Sequence, residues 1–122
     1  MGPILIVDDQ REVREPLAEL LEWEGFIPIP VASAASALSL IESLEAPPAV
    51  VLLDLEMPGM DGTAFLAERA RRPKVAAVPV VVLAPSADVA PGRVVGAQAV
   101  VSKPVDLAAL VLTIERLATG PG

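Results

Sequence analysis

Five short runs rich in valine, isoleucine and leucine punctuate this chain, and between them the apolar residues fall at helical spacing. Strands alternating with helical stretches are the pattern of βαβ units, which close into a parallel sheet with helices on both faces. The predicted strands are PILIVD (3–8), FIPIPVA (26–32), AVVLLDL (49–55), VPVVVLA (78–84) and AVVSK (99–103). The third is nearly all apolar and reads as central, and the fourth reads as buried. Pro28 and Pro30 each lack an N–H, which places the second strand at an edge of the sheet.

Val13, Leu17, Leu20 and Leu21 mark the buried side of a first helix that Gly25 ends, with a kink expected at Pro16. Ser33 caps a second helix that buries Ala34, Leu38 and Ile41. After the loop EMPGMDG (56–62), in which Asp61 is the predicted cap, a third helix lies around Phe65, Leu66 and Ala70. Asp106 caps the last, which buries Leu107, Leu110, Val111, Ile114 and Leu117. Between the last two strands, Pro91 and Gly92 disfavour helix, so that crossover is expected to be short or irregular. Residues 1–119 suit one domain, and 120–122 a tail or the start of a linker.

Composition narrows the chemistry. With a net charge of −7 the chain repels the phosphate backbone of nucleic acids, and no direct nucleic-acid binding is expected. It contains no cysteine and no histidine, which excludes disulfides, thiolate nucleophiles, zinc sites of the usual ligand sets and any imidazole triad. The longest apolar stretch (75–85) is broken by Pro79 and is too short to span a bilayer, and no charged leader is visible, so a cytoplasmic location is expected. Ile6 stands where a lipidation signal after Gly2 would need a hydroxyl residue. Carboxylate chemistry remains.

In a doubly wound sheet of strand order 2-1-3-4-5, the first and third strands are neighbours and the crossover direction reverses between them, so ligands bind at their carboxyl ends. Asp8 and Asp9 close the first strand and Asp54 closes the third. Crowded carboxylates raise one another's pKa and strain the fold unless a cation neutralises them. An all-oxygen cluster with room for waters suits Mg²⁺ or Mn²⁺. The other reading of Asp8 and Asp9 is that they begin the first helix, where acids face the positive end of the macrodipole.

VDDQREVR at the first strand, DLEMPGMDG at the third and SKP after the fifth, in this order and at these distances, resemble the receiver domain of bacterial response regulators over nearly the whole chain. The resemblance implies a flavodoxin-like sheet and a phosphoacceptor role for Asp54. That residue would take a phosphoryl group from a histidine kinase, a phosphotransfer protein or a small phosphodonor. It further implies that Asp9 ligates Mg²⁺ directly and Asp8 partly through water, with Asp54 and the backbone carbonyl of Glu56 completing the protein ligands. Lys103 matches the lysine that reaches the phosphoryl group, and Pro104 is expected to follow a cis peptide. Met57, Pro58, Gly59 and Gly62 shape the loop after Asp54.

The chain departs from the family pattern where strand four usually ends in Thr or Ser followed by Ala. Ala84 has no hydroxyl and Pro85 no N–H, so two donors expected at the phosphoryl group are missing together. The aromatic partner usual in strand five aligns with Val100, and the chain has no tyrosine. If strand four ran two residues further, Ser86-Ala87 would restore the hydroxyl. All departures fall on the face of the family's fourth helix, fifth strand and fifth helix, where receivers dimerise or meet an output domain or target. Two functions therefore compete: a phosphorylation-controlled interaction module with a blunted switch, and a degenerate receiver that docks partners constitutively. A metabolic phosphohydrolase is disfavoured, because no second carboxylate near Asp54 is positioned as general acid and the chain has no substrate-specificity insertion.

Overall fold

The structure is a computed structural model that describes residues 2–86 and 88–118, so the tail predicted at 120–122 lies outside the described residues. Its elements are β1 (Ile4–Val7), α1 (Arg11–Trp23), β2 (Pro28–Val31), α2 (Ala34–Ser43), β3 (Val50–Asp54), α3 (Gly62–Ala70), the single turn α4 (Pro73–Ala76), β4 (Val80–Ala84), β5 (Ala99–Ser102) and α5 (Leu107–Ala118). All five strands pair in parallel in the order β2-β1-β3-β4-β5, the doubly wound topology expected.

Every residue of β1, β3 and β4 is buried, as strands covered on both faces must be. Alternate residues sort to opposite sides. Leu5, Val7, Val51, Leu53, Val80, Val82 and Ala84 pack with α2 and α3, whereas Ile4, Ile6, Val50, Leu52, Val81 and Leu83 pack with Leu17 and Leu21 of α1 and Leu110 and Ile114 of α5. The prolines of β2 sit as predicted at an edge. Ile27 and Val31 accept hydrogen bonds from the Ile4 and Asp8 N–H groups, so the alternate positions 28 and 30 turn their missing donors outward.

The helix ends follow from local chemistry. Ser33 and Asp61 accept from the N–H groups of Ser36 and Ala64, and Asp106 from that of Ala109. At the end of α1, Gly25 has φ +92°, its N–H bonds to Glu22 O and that of Phe26 to Leu21 O, a complete Schellman closure. The helix runs unbroken through Pro16.

Two expectations about the core need correction. Leu20 is 45% exposed on α1. Leu107, Val111 and Leu117 pack only partly against the core, leaving Leu110 and Ile114 as the fully buried residues of α5.

Among its described residues the crossover between β4 and β5 contains only a 3-10 turn, Pro91–Arg93, where the receiver resemblance implies a fourth helix. Proline and glycine in consecutive positions explain why no α-helix forms. One consequence is visible on β5: Ala99 and Val101 pack toward α5, while Val100, pointing to the face that a longer helix would cover, is 40% exposed.

Candidate functional site

β1 and β3 end side by side, and that register sets their terminal acids together. One carboxylate oxygen from each of Asp8, Asp9 and Asp54 lies within 4.8 Å of the other two. Asp8 and Asp54 are buried and Asp9 is exposed, so the cluster opens to solvent on one side.

Each acid is oriented differently. Asp8 Oδ1 accepts the Gln10 N–H at 2.9 Å, and the Asp8 carbonyl accepts from Arg14 at 2.9 Å, which fixes the turn into α1. The helix-start reading of this residue therefore describes one of its oxygens. Its Oδ2 is buried without a hydrogen-bond partner. The Asp54 carboxylate accepts from the Lys103 ammonium at 3.1 Å, and the Glu56 N–H approaches the same oxygen at 3.4 Å. Lys103 also stands 3.7 Å from Asp8 Oδ2. It directly follows β5, its N–H bonds to Ala84 O, and the following Lys103–Pro104 peptide is cis as expected.

Burial pushes the Asp54 carboxyl above the usual range, and the charge of Asp8 adds to that. The hydrogen bond and charge of Lys103, and the Glu56 N–H, pull the other way. One ammonium thus serves two of the three carboxylates. An orphaned buried oxygen, an open side and a donor set of oxygens only are what a hard divalent cation fits. Asp8, Asp9 and Asp54 are the side chains that could hold one.

The loop after Asp54 is shaped by two glycines for two reasons. Gly59 has φ +73°, a backbone conformation that a Cβ disfavours. Gly62 is instead a close approach: a Cβ there would lie 2.8 Å from Leu55 Cα and 2.9 Å from the Asp54 carbonyl oxygen.

Strand four ends at Ala84, which is fully buried, and Pro85 and Ser86 lie outside it, exposed. Ser86 Oγ accepts the Asp88 N–H in a local turn and does not extend the strand; Ala87 lies outside the described residues.

The response regulator receiver domain profile matches residues 4–115. The chain belongs to the response-regulator receiver domains. It is accordingly a module of two-component signalling. The sensory transduction protein RegX3 of Mycolicibacterium smegmatis is 36% identical over 93% of this chain and 49% of its own length. The transcriptional regulatory protein CseB of Streptomyces coelicolor is 39% identical over 91% and 47% respectively. The chain thus spans about half the length of these relatives. Among solved structures, a putative response regulator from Chloroflexus aurantiacus superposes with a TM-score of 0.87 at 26% identity, covering 98% of each chain. The response regulator TrrA of Thermotoga maritima, in complex with Mg²⁺-BeF, gives 0.81 at 27% identity over 96% of this chain and 99% of that one.

Sequence reasoning missed the arginines of this receiver. Arg69 is 7% exposed and donates to the carbonyls of Val78, Ala76 and Gly96, pinning the α3–β4 connection and the crossover together. Burial lowers its pKa. Its position four residues after Phe65, on the apolar side of α3, was the available signal. Arg93 pairs with the Glu56 side chain at 2.9 Å, and no local pattern connects residues so far apart in sequence.

Proposed function

We propose that this receiver accepts a phosphoryl group on Asp54, in a Mg²⁺-dependent step, from a histidine kinase or phosphotransfer protein, and that phosphorylation of this carboxylate controls its interactions. The observation that carries the reading is the convergence of Asp8, Asp9 and Asp54 within 4.8 Å, with one Asp8 oxygen buried and not hydrogen-bonded and Lys103 on Asp54. Asp8, Asp9, Asp54 and the Glu56 carbonyl would hold the ion, with Mn²⁺ an acceptable substitute on donor chemistry. When bound, it offsets negative charge on the transferring oxygens.

The chain's own residues do the rest. An Asp54 carboxylate oxygen forms a bond to phosphorus as the bond from phosphorus to the donor nitrogen or oxygen breaks, and the donor leaves with that electron pair. Lys103, already on Asp54, compensates charge that grows on the equatorial oxygens. The buried side of the site holds the nucleophile still, and the exposed Asp9 side leaves room for the donor. An output domain, a target or a second copy would meet the face formed by the crossover, β5 and α5.

The second reading, a constitutive docking module, is favoured by Ala84, Pro85 and the exposed Val100. Incubation with Mg²⁺ and acetyl phosphate, followed by intact mass, separates the two. One added phosphoryl group that Asp54→Asn abolishes supports phosphoacceptance; no added mass supports docking. A phosphate mapped to Asp61 would show that the loop was misread.

A further inference from the structure

Glu56 and Arg93 join the loop after Asp54 to the crossover segment 85–98. Arg93 Nη1 donates to Glu56 Oε1 at 2.9 Å, and both residues line a cavity of about 310 Å³ with Leu55, Pro85 and Ser86. The Glu56 main chain also touches the phosphoacceptor, through its N–H on Asp54 Oδ1. The Arg93 backbone is held in place: its carbonyl accepts from Thr63 Oγ1 at 3.1 Å, and Gly96 nearby accepts from Arg69 at 3.2 Å. A long, flexible cationic side chain therefore hangs from an anchored turn, next to the residue two positions after Asp54.

Strand four supplies this site with no hydroxyl at Ala84 and no N–H at Pro85, so an acyl phosphate on Asp54 would lack donors on that side. The pairing of Arg93 with Glu56 is 40% and 53% exposed, and such pairs in solvent are readily exchanged. A guanidinium fork pairs with phosphate oxygens as it does with a carboxylate, and a phosphoryl group carries the greater negative charge. We infer that Arg93 recognises the phosphoryl group in this receiver, its side chain exchanging the Glu56 carboxylate for phosphoryl oxygens while its backbone stays anchored. This rests on Asp54 being the phosphoacceptor. It replaces the missing strand-four donor by one from the crossover, and so places the responding side chain in the segment that has lost its helix.

The test uses beryllofluoride with Mg²⁺ as a stable phosphoryl mimic, with acetyl phosphate labelling of the same proteins read by intact mass. In the wild type the Arg93 Nε–H resonance and the amides around Pro91–Arg93 shift on binding. Arg93→Ala weakens beryllofluoride binding about 3- to 10-fold and removes the crossover shifts, whereas Glu56→Gln, which frees the guanidinium, strengthens binding and keeps them. A passive surface bridge would make the two substitutions act alike. An Arg93 resonance that stays put, or variants that behave identically, in a protein that gains phosphoryl mass overturns this inference alone. A wild type that gains no mass and binds no beryllofluoride overturns it together with the phosphoacceptor reading.

Discussion

Asp9→Asn should act in opposite directions with and without Mg²⁺. In the metal-free protein Asp9 faces Asp8 and Asp54 within 4.8 Å, and Lys103 sits against those two acids rather than against Asp9. Like charges at that distance repel by about 0.9 kcal/mol in the dielectric of water and about 3.5 kcal/mol at an effective value of 20. Asp9 is exposed, so the lower figure applies to each of its two repulsions. An acid just before α1 recovers about 0.3–1 kcal/mol from the helix dipole, which leaves a net gain of about 1 kcal/mol for the neutral variant. At this chain length that is about 3–5 °C in Tm. Mg²⁺ at a hundredfold excess over Kd stabilises the wild type by about 2.7 kcal/mol, and the variant, lacking a charged ligand, should lose most of that response. Thermal unfolding across a Mg²⁺ titration in constant ionic strength therefore gives curves that cross: the variant melts higher without metal and lower with it. Parallel curves, or a wild type indifferent to Mg²⁺, would refute the reasoning.

Lys103→Met should cost the metal-free protein about 1–3 kcal/mol near neutral pH in denaturant titrations, because two buried carboxylates lose their cation. Burial puts the folded pKa of Asp54 above its unfolded value, so the cost of ionising it is absent below the ordinary carboxylate range and appears as pH rises through the folded value. The difference between variant and wild type should accordingly vanish at acid pH; a pH-independent difference would mean that Lys103 acts through packing. Gly62→Ala should destabilise by about 1–3 kcal/mol, since the added carbon meets backbone atoms that cannot step aside, and Gly62→Asn should be worse. At Gly59 the order should reverse, with Asn better than Ala, because the constraint there is a positive φ with open space around it. Ala84→Thr should add a hydrogen bond of about 1.5–3 kcal/mol to a phosphorylated Asp54 and enlarge phosphorylation-dependent NMR shifts around Val100 and Leu107; unchanged shifts would show that another group already fills that role.

The amino-acid order alone determined the five strands, the four longer helices, the edge position of β2 and the residues that close β1 and β3, because each rests on short-range signals: β-branched runs, proline's missing donor, helix caps and the fixed handedness of βαβ crossovers. In the strand order 2-1-3-4-5 the first and third strands are neighbours, which brings Asp8, Asp9 and Asp54 to one switch point without any knowledge of side-chain coordinates. Pro91 and Gly92 likewise announced a failed helix in the crossover. Only the tertiary structure decided which oxygen of Asp8 serves the turn into α1 and which is buried without a hydrogen bond. It also decided that Arg69 turns inward to three carbonyls while Leu20 stays in solvent, reversing what polarity alone would assign. The pairing of Arg93 with Glu56 belongs to the same class. Its energy depends on how a shortened crossover lies over the end of β3, and a contact between residues 37 apart leaves no period, cap or turn in the sequence from which to read it.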